Sequence, residues 1–283
     1  MLSARHRRLR VPWFRPAVLY ALVALFLLWT VAPVAWIATM SVQPEINYVA
    51  VPPHLRWQDT SFRWFATILA DRAYTDALRT SFIVSTATMV LCLVLGSLAA
   101  YPLARLTLPY KGAFLVFAIA TRMVPAIVLI IPMFLLIRNL HLLDTYAALI
   151  AVYTTFLLPY VVWMLKNFFE QIPRSLEAAA RMDGCSRLGA LFRVIIPVSA
   201  PGVVATAIFA FIGAWNEFLF GLILSNRVAI PITVRLSGLV GGTFHTDNSL
   251  VAATGMLAIA PVVALVFILN RYIVRGLVEG VKY

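Results

Sequence analysis

Six stretches of the chain, roughly residues 17–40, 81–104, 113–137, 145–165, 198–224 and 250–269, run for twenty or more mostly apolar residues with few charges. A helix rises ~1.5 Å per residue and the hydrocarbon core of a bilayer is ~30 Å thick, so ~20 such residues suffice to cross it. The expected fold is therefore an all-α integral membrane protein with six transmembrane helices. Residues 1–16 form a segment preceding the first span, and residues 17–283 form a single membrane domain. The first span follows a basic leader (Arg5, Arg7, Arg8, Arg10, Arg15) but is too long for the apolar region of a signal peptide, so it is expected to be a retained helix. Composition agrees: 62% of residues are hydrophobic and 12% charged, far from a soluble domain of this length.

Orientation follows from the basic residues. The N-terminus, the segments 105–112 and 166–197 and the C-terminal tail together hold fifteen Lys and Arg, against seven in the segments after the first, third and fifth spans. Both termini are expected to be cytoplasmic. The net charge of +12 lies beside the spans, where orientation and anionic headgroups account for it, so no nucleic-acid partner is expected and membrane lipid is.

Several chemistries are missing from the sequence. Cys92 lies in a span and Cys185 in a connecting segment, and the four histidines are scattered without ligand spacing, so neither a disulfide nor a metal site is expected. None of the three lysines ends a glycine-rich phosphate cradle, so any ATP must be hydrolysed by another chain. No nucleophile, base and orienting group lie at one membrane depth, which leaves no catalytic residue to nominate. Intramembrane charge is sparse. Arg122 in the third span and Glu217 in the fifth either pair with each other or line a path. Trp215, Asn216 and Glu217 interrupt an apolar helix; rings, amides and carboxylates suit a sugar in a translocation path, and polar groups also serve as glue between helices.

The connection between the fourth and fifth spans is long. Residues 175–182 favour helix, with Ser175 as N-cap and Glu177 in the first turn, and Gly184 supplies a stop. A second amphipathic piece covers about 186–194, with Leu188, Leu191 and Phe192 on one face. Two short helices presenting small alanines make a knob able to seat in a partner's groove, or an ordinary surface helix resting on headgroups.

The pattern Glu177-Ala178-Ala179, then Gly184, then Val-Ile-Ile-Pro ending at Pro197, resembles the EAA loop of the membrane subunits of ABC importers. Further stretches, D-T-Y-A-A-L-I from Asp144, L-P-Y from Leu158, F-F-E-Q-I-P from Phe168, A-W-N-E-F-L from Ala214 and G-V-K near the C-terminus, resemble the carbohydrate-importer permeases related to the maltose system. The likeness covers most of the chain from about Thr80. It implies a six-helix permease domain with a cytoplasmic coupling loop over about 175–197, in the bacterial plasma (inner) membrane. It also implies a second homologous permease, two copies of an ATPase subunit that carry ATP and Mg, an extracytoplasmic solute-binding protein and a sugar-like substrate. Glu177, Ala178, Ala179, Asp183 and Gly184 are thereby assigned to the helix that docks on the ATPase. Pro197 is expected either to open the fifth helix, so that motion of the loop tilts that span, or to stand there only as a tolerated first-turn residue. The glycine-rich run 238–243 occupies the place where such permeases reach into the binding protein. A self-sufficient carrier or channel, or a membrane scaffold without transport, remain as rival readings that need no docking loop.

Overall fold

The computed structural model describes residues 14–240 and 247–279. Arg5, Arg7, Arg8 and Arg10 of the basic leader, the 241–243 part of the glycine-rich run and the C-terminal G-V-K motif lie outside the described residues. The helices follow in the order α1 (Phe14–Met40), α2 (Glu45–Val49), α3 (Arg63–Ala70), α4 (Arg72–Arg105), α5 (Lys111–Ala120), α6 (Ile130–Asn139), α7 (Tyr146–Gln171), α8 (Arg174–Met182), α9 (Arg187–Ala190), α10 (Ile196–Val198), α11 (Ala200–Trp215), α12 (Leu219–Leu224), α13 (Ile232–Val240) and α14 (Asn248–Glu279). No strand occurs among the described residues. Among the described residues, four helices are long and apolar enough to cross a membrane, and up to six spans result if each of two bent pairs counts as one.

The chain divides into two compact units. The first comprises residues up to Phe65 together with Asp247–Met256. Its α1 is apolar all round and exposes most of its side chains, Leu19, Phe26 and Trp29 among them, as a lipid-facing rod does. The rest of the unit is a polar lattice. The Ser249 hydroxyl donates to Gln43 O at 2.7 Å and lies 2.9 Å from the Tyr48 hydroxyl, and the Trp64 indole donates to Asp247 at 2.7 Å. The Asn248 side chain donates to Glu45, and Asn47 to both Gln43 and Asp59. Sequence periodicity gives no hint of this lattice, because most of these bonds join residues 43–64 to 247–249.

The second unit, Ala66–Thr246 with the chain from Leu257 onward, is built on α4, α7 and α11. Asp71 starts α4 by accepting the Ala73 N–H, and Thr145 starts α7 by accepting that of Ala148, the N-caps these residue types favour. Small residues let the backbones approach: a Cβ on Gly202 would strike the Phe168 ring. Buried Ala100, Ala148, Val161, Leu165 and Phe169 fill the seam.

Two expected spans are broken. The stretch 113–137 bends by 86° between Met123 and Ala126. Pro125 is the cause, since a proline disfavours helical backbone at the preceding residue, and Val124 is extended at φ −70°, ψ 120°. The stretch 198–224 begins at an 86° bend that separates residues 187–198 from α11, and it is interrupted after Trp215, where α11 ends before α12 starts at Leu219. Pro197 therefore does not open that helix. It lies in the short α10 that follows a π turn at Leu191–Ile195, where the Ile196 N–H reaches back to Leu191 O; the helix opens at Ala200, with Pro201 in its first turn. The segment after the fifth stretch holds a helix too, α13, which takes in the first three residues of the glycine-rich run.

Candidate functional site

The connection between α7 and α11 begins at Ile172, the C-cap of α7. The Ile172 N–H bonds back to Phe169 O, Pro173 forbids continuation, and α8 starts at Arg174. Pro173 is the N-cap residue and offers no side-chain acceptor, so Ser175 sits within the first turn instead of capping it. Gly184 ends the helix with φ +88°, a conformation that L side chains rarely adopt. Ser186 then caps α9, its hydroxyl accepting the Gly189 N–H at 3.1 Å.

Glu177 points back into its own chain. Arg105, the last residue of α4, places Nε 3.2 Å from Glu177 Oε2, with side-chain exposures of 4% and 14%. Arg105 Nη1 donates to Ile172 O at 2.9 Å, and the Tyr101 hydroxyl donates to Glu177 Oε1 at 2.5 Å. One buried arginine thus joins the end of α4, the end of α7 and the first turn of α8. The outward face is different in character. Ala178, Ala179, Asp183 and Gly184 are exposed, and so are Leu176, Met182 at 89%, Leu188 and Phe192. A surface of small and apolar groups around a rigid turn suits a protein groove.

The second cluster of sequence-nominated residues surrounds the end of α11. Trp215 is 3% exposed, stacks on Phe211 with centroids 5.6 Å apart and donates its indole N–H to Ala258 O at 3.0 Å. It is a packing residue. Asn216, at the helix end, is exposed. Glu217 Oε1 accepts the Phe220 N–H at 3.1 Å, capping α12, and Glu217 O accepts the Thr233 hydroxyl at 3.0 Å. Arg122 does not pair with Glu217. It lies in the turn just before Pro125, with its guanidinium 5.1 Å from the Phe156 centroid and 5.3 Å from that of Tyr160. Phe156 in turn sits 4.6 Å from Phe220, whose N–H Glu217 holds. The two charges are therefore linked through rings, not by an ion pair.

Asp144, in the sequence just a loop residue of the D-T-Y motif, is a structural hub. Its carboxylate accepts the backbone N–H groups of Asn226, Arg227, Val228 and Ala229 at 2.9–3.1 Å. Burial pushes its pKa up, but these four donors outweigh that and hold the carboxyl below its ordinary value. Tyr101 and Arg105 also escaped the sequence reading; an arginine closing an apolar span was counted for orientation only. No group of three or more potential metal ligands occurs among the described residues.

Residues 92–279 match the family described as binding-protein-dependent transport system inner membrane component. The chain is 36% identical over 260 residues to the sulfoquinovosyl glycerol transport system permease protein SmoH of Agrobacterium fabrum, covering 88% of this chain and 87% of that one. It is 36% identical over 250 residues to the trehalose transport system permease protein SugB of Mycobacterium tuberculosis, covering 88% and 90%. Among solved structures, a chain of a bacterial ABC transporter involved in the import of the acidic polysaccharide alginate superimposes with a TM-score of 0.77 at 23% identity, over 96% of this chain and 99% of that one.

Proposed function

The chain belongs to the binding-protein-dependent transport system inner membrane components, and from that premise we propose that it forms half of the translocation path of an ATP-driven importer for a sugar or sugar-like solute. The sugar class rests on the relatives, whose names carry trehalose and a sulfoquinovosyl glycerol. The assembly comprises this subunit, a second homologous permease, two ATPase subunits that bind ATP and Mg, and an extracytoplasmic solute-binding protein. Six spans, with α11 as the fifth and the α8–α10 segment before it outside the membrane, put both termini and that segment on the cytoplasmic side, a reading that the Lys and Arg bias supports.

The observation that carries the proposal is the exposed face of Ala178, Ala179, Met182, Asp183 and Gly184, anchored from behind by the buried Arg105–Glu177 pair. The ATPase seats on that face. Arg122, Asn216 and Glu217 border the solute path, with the Phe156 and Tyr160 rings beside Arg122.

A Cβ on Gly184 meets nothing within 4 Å in this chain, so a large side chain there has room until a partner arrives. Gly184→Ala carries the backbone strain without the bulk, and Gly184→Trp carries both. After co-expression with the genes beside it, wild type is expected to co-purify with an ATPase and a second permease. Gly184→Trp is expected to lose ATP-dependent uptake much more than Gly184→Ala does. Equal uptake by both variants, or uptake by this chain alone, overturns the docking reading.

A further inference from the structure

A cavity of about 440 Å³ in the second unit is lined by Ala73, Asp76 and Ala77 of α4, Tyr146 of α7, Arg227, Val228 and Ile230 of the loop before α13, and Arg235 of α13. Apart from the backbone bonds of Arg227 and Val228 to Asp144, these residues belong neither to the α8 face nor to the cluster at the end of α11. From its lining we infer that this cavity is a binding site for the anionic group of a hydroxylated solute, a sugar acid or an acidic glycoside.

The charge balance points to an anion. Two guanidiniums face the cavity and one carboxylate joins them, and Asp76 makes no ion pair with either arginine among the described residues. Arg235 Nε is buried without a hydrogen-bond partner. A buried donor left unpaired is costly, and a guanidinium fork matches the two oxygens of a carboxylate or sulfonate. The remaining groups suit hydroxyls. Thr80 donates to the Tyr146 hydroxyl at 3.3 Å, so the tyrosine's own proton is free to donate, and Asp76 offers acceptors. The volume falls within the ~300–1,000 Å³ usual for small-molecule sites.

The walls are also fixed in advance. Asp144 holds the backbone of Asn226, Arg227, Val228 and Ala229, which sets the position of Arg227. The start of α13 is tied down by the Ile232 N–H on the buried Ser81 hydroxyl at 2.8 Å and by the Thr233 hydroxyl on Glu217 O at 3.0 Å, which sets Arg235. A preset site loses less entropy on binding than one that must order first.

This inference rests on the importer reading, and the experiment separates the two. The complete transporter, purified in detergent with its co-expressed subunits, is titrated calorimetrically with D-glucuronate, glucose 6-phosphate and D-glucose, and its co-purified lipids are identified by mass spectrometry. Wild type is expected to bind the two anionic sugars in preference to glucose. Arg235→Gln and Arg227→Gln are expected to weaken anion binding by ~10-fold or more, with Arg235→Lys recovering part of it. An assembled Arg235→Gln complex with wild-type affinity for both anions overturns the site, as does a wild type that binds neither. Loss of phosphatidylglycerol from Arg235→Gln without any effect on sugar anions assigns the cavity to a lipid headgroup and overturns the solute assignment. Absence of any co-purified ATPase refutes the importer reading instead, whatever the titrations give.

Discussion

Glu177→Ala isolates what the buried arginine does for the α8 segment. The substitution strands Arg105, 4% exposed, without its counter-charge and with only the Ile172 carbonyl accepting from it, and leaves the Tyr101 hydroxyl without an acceptor. Removing one partner of a buried pair costs ~3–5 kcal/mol because the other charge stays buried and uncompensated. The 14% exposure of Glu177 lets some water reach the site, which places the loss at the lower end, ~3 kcal/mol. For a chain of this size, that corresponds to a midpoint lowered by ~6–12 °C. Arg105→Met in the same background removes the stranded charge, so Glu177→Ala added to Arg105→Met is expected to cost ~1 kcal/mol, the tyrosine bond alone. Thermal unfolding of the four purified proteins, followed by tryptophan fluorescence, completes the double-mutant cycle. A Glu177→Ala loss that is the same with Arg105 and with Met at that position gives zero coupling and refutes the clamp. The same four complexes in an uptake assay then report whether a loosened α8 still transmits ATP hydrolysis.

Gly202→Ala puts a methyl into the Phe168 ring and is expected to destabilise by ~1–3 kcal/mol, with Phe168→Leu restoring most of the loss; a neutral Gly202→Ala melt contradicts the close α7–α11 approach. Because the folded-state pKa of Asp144 is depressed, its contribution is complete above the ordinary value of 3.8 and is lost as pH falls through the lower native value. Asp144→Asn is therefore expected to melt lower than wild type at neutral pH, with the gap narrowing on acidification below that value. A gap that persists unchanged at low pH shows that the carboxylate charge is not what holds residues 226–229.

What the sequence made legible was whatever a bilayer or a short helix imposes locally. Length and apolarity located the helical stretches, and Gly184 marked a helix stop that the positive φ explains. Helix continuity was not legible where proline acts: the apolar run through Pro125 reads as one span, while the backbone of Val124 turns it through a right angle. Partners were illegible for a different reason. Arg105 and Glu177 are 72 positions apart in the sequence and Asp144 and Asn226 are 82 apart, and no periodicity links residues that meet only through tertiary packing. Trp215 illustrates the converse error of emphasis. A polar interruption in an apolar helix draws attention as a solute contact, yet its indole N–H is spent on Ala258 O.

The bend at Ser199 has a mechanical meaning. Two stiff rods joined at 86° form a bell crank, in which a push on one arm becomes a perpendicular sweep of the other. The joint itself is well tied: the buried Ser199 bonds to Ile195 O through both its N–H, at 2.9 Å, and its hydroxyl, at 2.6 Å. The longer arm, the 16 residues of α11, extends ~24 Å at ~1.5 Å per residue, so a ~10° rotation at the joint carries the Trp215 end through ~4 Å. That sweep exceeds the width of a water molecule, and it occurs where Asn216 and Glu217 stand.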